Sequence, residues 1–186
     1  AEKTDTISTS GSNRNVSHEL NLFAEDSWRL APQWSLNAGF NASLFNTDAK
    51  TFMRFDPRLA MRWQMSRTLA AKLSYTMMTQ YVHRITNSFL DLPTDYWVST
   101  TAKLEPMRAW QLTAGLYAEP SSHLSLSVEA YYKQTNHMLQ YASWAGIEPP
   151  ADHWDENVMD GRGKAYGIEA DIHYHTTRLD LAAAYT

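Results

Sequence analysis

Apolar and polar residues alternate along most of this chain. In residues 33–45, Trp34, Leu36, Ala38, Phe40, Ala42 and Leu44 fall on one side. Gln33, Ser35, Asn37, Gly39, Asn41 and Ser43 fall on the other. Successive side chains of a strand point to opposite faces, so a period of two predicts a strand with one apolar and one polar face. A helix would mix the two sets on every face. The same pattern sets Leu20, Leu22, Ala24 and Trp28 against Glu19, Asn21, Glu25 and Arg29, and Leu59, Met61, Trp63 and Met65 against Arg58, Arg62 and Gln64. It continues with Leu69 to Met77, Trp110 to Leu116, Leu124 to Tyr132, Tyr166 to Tyr174 and Leu179 to Tyr185 at every second position. About eight strands follow. Most approach the roughly 10 residues that a tilted strand needs to cross hydrocarbon, whereas soluble strands have a mode of about 5–6.

The connections alternate short and long. Short ones are expected at Ala31 and Pro32, at Ser66 and Arg67, at residues 120–122, and at Thr176 and Thr177. Long ones are expected at residues 46–55, 81–107 and 134–160. In an antiparallel up-and-down meander, every other connection lies at the same end. One end therefore carries tight turns and the other long polar loops, the asymmetry of outer-membrane β-barrels. Residues 1–17, rich in Ser, Thr and Asn, read as a further outer loop. Trp28, Trp34 and Trp63 sit near the short turns on the apolar row, and Tyr75, Trp110, Tyr132 and Tyr166 sit towards the long loops. Two aromatic belts around an aliphatic band fit a barrel in a bilayer. The fold class is therefore all-β, part of a transmembrane barrel.

Composition narrows the function. The chain has 186 residues, 44% of them hydrophobic and 19% charged, with net charge -4. It is not disordered in composition and lacks the basic footprint of a nucleic-acid binder. With no cysteine, disulfides, thiolate nucleophiles and Cys-ligated zinc are excluded. Aromatic residues reach 12%, with 7 Trp and 10 Tyr, a supply suited to boundaries that are dry on one side and wet on the other. No apolar run approaches the roughly 20 residues of a membrane helix, and the start has no signal-peptide core.

The chemistry-bearing groups carry little enzymatic signal. His173 and His175 share one strand face, a spacing that metal sites use, but they sit beside a short turn and read as a hydrated rim. Glu129 and Glu169 face the interior with nothing in the sequence to bring them together, and Arg58, Arg62, Lys72 and Lys133 share that interior. Gly161, Gly163 and Gly167 precede an alternating strand rather than a helix, so they do not form a nucleotide loop. The methionines Met53, Met61, Met65, Met77 and Met78 read as lipid-face filling. No catalysis, metal or cofactor is expected. Candidate cargo contacts are Tyr96 and Trp97 in one long loop, and Trp144, Asp152, His153 and Trp154 in another. They combine flat rings with polar groups.

Four patches resemble the C-terminal barrel part of TonB-dependent outer-membrane receptors of the Bacteroidetes type. The first is the strand ending Glu25-Asp26-Ser27-Trp28. The second is Asp56-Pro57-Arg58-Leu59 with its returning partner. The third is Leu92-Pro93-Thr94-Asp95-Tyr96-Trp97-Val98, followed by Glu105-Pro106 and a strand. The fourth is Gly161-Arg162-Gly163-Lys164-Ala165-Tyr166-Gly167-Ile168-Glu169. Together they span most of residues 17–186. The resemblance implies a place in the bacterial outer membrane, uptake of a nutrient, and energy supplied by the TonB complex through an N-terminal part. It departs from the family in three respects: there is no plug domain, there is room for about eight strands where family barrels have about 22, and the chain stops within a strand. A fragment of the barrel is expected. Its partners would be outer-membrane lipid, the nutrient ligand, a surface lipoprotein, or another copy through open strand edges. The competing reading is a complete small barrel of about eight strands. That would be a structural or adhesive membrane protein, or a lipocalin-like carrier with its apolar row turned inward.

Overall fold

The computed structural model describes residues 16–47, 49–85, 96–141 and 158–186. These form ten strands: β1 (Ser17–Ala31), β2 (Trp34–Thr47), β3 (Thr51–Gln64), β4 (Leu69–Gln80), β5 (Val82–Ile85), β6 (Tyr96–Ser99), β7 (Met107–Ser121), β8 (Leu124–Tyr141), β9 (Val158–His175) and β10 (Asp180–Tyr185). Eight of them make one sheet in the order β1-β2-β3-β4-β7-β8-β9-β10. β5 and β6 make a separate two-stranded sheet. Every pairing is antiparallel. The expected meander is present, with one addition: the connection between β4 and β7 carries its own hairpin.

The register carries the alternation across the whole sheet. On one face Leu36 lies opposite Met61, Met61 opposite Leu73, Leu73 opposite Ala114, Ala114 opposite Ala130, and Ala130 opposite Ile168. On the other face Ser27 lies opposite Asn37, Asn37 opposite Ala60, Ala60 opposite Ser74, and Ser74 opposite Thr113. The apolar face is bare. Leu22 is 67% exposed, Ile168 60% and Leu116 53%, a contiguous apolar surface that water does not favour. The polar face lines two open cavities of about 560 Å3 each. The apolar row is therefore turned away from the cavities, opposite to a lipocalin-like carrier. Among the described residues β1 and β10 are the two ends of the sheet order and do not pair with each other, so these strands form an open sheet rather than a closed small barrel. Besides His18 near its start, opposite Asn46, two residues in the middle of β1 break the rule. Phe23 falls in the polar row opposite Asn41, and Asp26 in the apolar row opposite Ala38.

Four short turns lie at one end, as expected, but the other end carries a short one too, between Thr47 and Thr51. Gln64 N–H donates to the Gln33 carbonyl at 2.7 Å, and Thr176 N–H to the Leu179 carbonyl at 2.7 Å. Beside these turns the Trp34 and Trp63 rings stack, with centroids 5.2 Å apart and planes 1° from parallel. Towards the other end Trp110 contacts Tyr75 at 6.4 Å and Tyr132 at 5.4 Å.

Five expectations are corrected. The loop expected at residues 134–160 is shorter, since β8 runs to Tyr141 and β9 starts at Val158. Met78, read as lipid-face filling, lies in the inner row opposite Ala109 and lines a cavity. Residues 46–55 are not a long loop. β2 runs to Thr47 and β3 starts at Thr51, and the hairpin is closed by Thr47 N–H donating to the Lys50 carbonyl at 2.9 Å. Ser17, placed in an outer loop, is the first residue of β1 and lies opposite Thr47; residues 1–15 of that expected loop lie outside the described residues. Glu129 and Glu169, which nothing in the sequence joined, are direct cross-strand partners. Like charges opposite one another are unfavourable. Here the Tyr117 hydroxyl donates to Glu129, and the Lys72 ammonium lies 4.0 Å from the Tyr117 ring centre. The pair sits inside a mixed-charge network.

Two irregularities have local causes. Pro57 has no N–H, and the β3–β4 ladder stops next to it, at Arg58 opposite Thr76. Beyond that point side chains bridge the strands: Thr79 Oγ1 donates to Asp56 at 2.9 Å, and Arg108 donates to the Phe55 carbonyl at 3.0 Å. In β8, His137 has φ 59° where the β8–β9 register shifts. This is a bulge with its extra residue in the left-handed region. Its Nδ1 meets Asp160 Oδ2 at 2.6 Å.

Candidate functional site

The long-loop end of the sheet carries a structured cap. On the face that is polar lower down, the inner row becomes aromatic: Phe45 and Phe52 lie opposite each other and are 2% and 3% exposed. Tyr81, just after β4, covers them. Its ring stacks on Phe45 at 4.4 Å with planes 2° apart, and its hydroxyl meets Ser43 Oγ at 2.6 Å. Burial pushes the Tyr81 phenol up, and the Ser43 bond opposes this.

The β5–β6 hairpin grows from this anchor. Thr100 N–H donates to the Tyr81 carbonyl at 2.7 Å. His83, almost fully buried, meets Thr100 Oγ1 through Nε2 at 3.1 Å. Burial holds the His83 imidazole below its ordinary pKa, so the neutral ring is favoured. Ile85 and Val98 form a small core with Leu104 and Val158, which joins the hairpin to the start of β9. An ionic clasp closes the base. Lys50 Nζ lies 2.8 Å from Glu105, and Arg54 lies 2.5 Å from its other oxygen. The hydrogen bond from Lys50 is the largest cause holding the Glu105 carboxyl below its ordinary value.

Below the cap the upper cavity is lined by Asn41, Asp56, Arg58, Lys133, Met78 and Met138, among others. The lower one is lined by Glu25, Asn37, Arg62, Lys72, Thr113 and Glu129 among others. Both are rich in donors and charges of both signs. Such a surface can hold water and polar solutes by exchangeable hydrogen bonds.

The candidate cargo residues meet different fates. Trp97 lies in β6 opposite Arg84 and is 67% exposed, so its ring is free to meet a ligand at the outer end. Tyr96 lies in β6 opposite Ile85. Trp144, Asp152, His153 and Trp154 lie outside the described residues. The cap itself, held by Tyr81, His83, Thr100 and Glu105, was not read from the sequence. The one available signal was the patterned run Val82, Arg84 and its return at residues 96–99, too short to stand out from loop.

The family model for the TonB-dependent receptor-like β-barrel matches residues 3–186. The chain belongs to this family, which places it in the bacterial outer membrane. Solved structures agree in fold. The alcaligin outer-membrane receptor of Bordetella pertussis superposes with a TM-score of 0.60 at 16% identity, over 91% of this chain and 29% of that one. The ferripyoverdine receptor of Pseudomonas aeruginosa gives 0.59 at 15%, over 86% and 21%. The ferric-catecholate import receptor of E. coli K12 gives 0.60 at 9%, over 90% and 28%. The chain thus spans less than a third of the length of these solved receptors. A comparison with curated protein sequences gives no match. These matches do not bear on the Bacteroidetes-type subgroup.

Proposed function

We propose that this chain is part of the barrel wall of a receptor that takes up a scarce nutrient, with energy delivered by the TonB complex through another part of the receptor. The observation that carries the reading is the largely apolar face that runs across the eight-stranded sheet, backed by a polar, cavity-lined face. Lipid covers the first and solutes pass along the second. Cargo is met by rings and polar groups of the outer loops, Trp97 among them, together with Tyr96, Trp144, Asp152, His153 and Trp154. No bond in the cargo is made or broken, so the protein is not an enzyme. A surface lipoprotein over the loops, or neighbouring strands at the open edges, would be its protein partners. Two of the solved receptors are named for ferric cargo, ferripyoverdine and a ferric catecholate, which makes a ferric chelate the first cargo to test.

The test is uptake. Cells carrying the full-length receptor take up radiolabelled ferric chelates under iron limitation, and uptake collapses when TonB or the proton gradient is removed. Uptake that persists without either, or protein that stays soluble without detergent, overturns the reading.

A further inference from the structure

His173, His175 and Asp180 converge on the inner face at the short-turn end. The two imidazoles project from the same face of β9, two residues apart. Asp180, the first residue of β10, lies opposite His175. His173 Nε2 is 2.8 Å from Asp180 Oδ1, and His175 Nδ1 is 3.2 Å from Asp180 Oδ2. The three prospective ligand atoms all lie within 4.8 Å of one another. The turn between the strands is itself fixed. Thr176 Oγ1 accepts from Leu179 N–H at 3.0 Å and donates to the Leu179 carbonyl at 3.2 Å. Residue 180 is thereby pinned beside the histidines. A further carboxylate, Asp171, is on the same face of β9 and accepts from Ser127 at 3.4 Å.

We propose that His173, His175 and Asp180 form a binding site for a divalent first-row transition-metal ion, zinc or nickel being the fitting class. Two imidazoles and one carboxylate are a donor set these ions take, with bonds of ~2.0–2.2 Å for zinc. A small inward movement of three side chains brings the donors to that range, and solvent fills the remaining positions. The same ring nitrogens now face the carboxylate. On metal binding the proton of each ring resides on its other nitrogen, and the lone pairs turn to the ion. Stability alone does not account for the cluster. All three groups are exposed, with side-chain exposures of 49%, 65% and 62%, and exposed ion pairs contribute little. The sequence showed only the histidine pair and pointed to a hydrated rim; the hairpin register supplies the third ligand. The site does not depend on the nature of the cargo.

The test uses the intact receptor, stripped with a chelator, folded in detergent and titrated calorimetrically with zinc chloride and nickel chloride. The parent protein binds one equivalent that is lost in His173→Ala, in His175→Ala and in Asp180→Asn. It is retained in His137→Ala at the opposite end. Gel mobility without heating shows that each variant is a folded barrel, and Asp180→Asn keeps the shape of the hairpin while removing the charge. Copper(II), loaded below one equivalent and read by electron paramagnetic resonance, shows two coupled imidazole nitrogens in the parent and one in His173→Ala. Superimposable titrations of parent and variants, or no zinc-dependent heat in the parent, overturn the proposal.

Discussion

At the residue scale the decisive property is which way a side chain points. Val128 and Ser127 are neighbours in β8, yet Val128 lies opposite Leu116 in the apolar row and Ser127 opposite Tyr117 in the other. Charge placed on the lipid side of a barrel costs about 2–4 kcal/mol at mid-membrane for Arg, while the inner side faces water. Val128→Arg is therefore expected to lower folding yield in lipid vesicles sharply, and Ser127→Arg to fold close to the parent. Equal yields would argue against a lipid-facing row. This facing was legible from the sequence because a period of two leaves no freedom: slipping by one residue would invert every side chain. Which residues meet across strands was not legible. The Glu129–Glu169 pairing depends on the offset between β8 and β9, which includes the bulge at His137 and is not written in either strand's own pattern.

At the scale of elements, the strands were readable and their outer ends were not. The run Phe52, Met53, Arg54, Phe55 puts large apolar groups on both faces, so alternation fails and a loop is the natural reading. The structure supplies the reason: Tyr81 covers the inner face there, so Phe45 and Phe52 are buried on the side that is polar lower down. The docked β5–β6 hairpin should be sensitive to acid. His83 has a folded pKa below its ordinary 6.5 and Glu105 one below its ordinary 4.5. For both groups the undocked state binds more protons as pH falls, so their contribution is present above the ordinary value and lost on acidification. Loosening is expected in two stages, the first beginning near pH 6.5 from His83, the second below 4.5 from Glu105. Hydrogen exchange of the β5 and β6 amides, read from pH 7.5 to 3.5 after correction for intrinsic rates, checks this. His83→Gln should remove the upper stage and leave the lower. Protection that stays flat over the whole range would show that the aromatic anchor alone holds the hairpin.

For the whole molecule, the open sheet and the cap set the roles of its surfaces. Among the described residues β1 and β10 end the sheet order, and an unpaired edge templates pairing with another strand. The 186-residue chain by itself in lipid is therefore expected to associate with further copies, and a stable monomer by analytical ultracentrifugation would contradict the open-edge reading. Cargo is a separate question. With lipid on one side of the wall and a polar face on the other, we propose that selectivity lies at the outer end, where Trp97 stands exposed on a hairpin clasped by Lys50, Arg54 and Glu105. An exposed indole is a flat apolar face with few rotatable bonds, and it suits ring-bearing or sugar-like cargo better than a bare ion. Trp154 is the second candidate, proposed from the sequence. The competing role for both rings is packing between loops. Trp97→Ala and Trp154→Ala in the full-length receptor separate the two. Loss of a stacked ring is expected to weaken cargo binding by about 1–2 kcal/mol, roughly 5- to 30-fold in Kd, while the β5–β6 amides keep their exchange protection. Unchanged cargo affinity with loosened loops would assign the rings to packing and leave recognition to the polar groups around them.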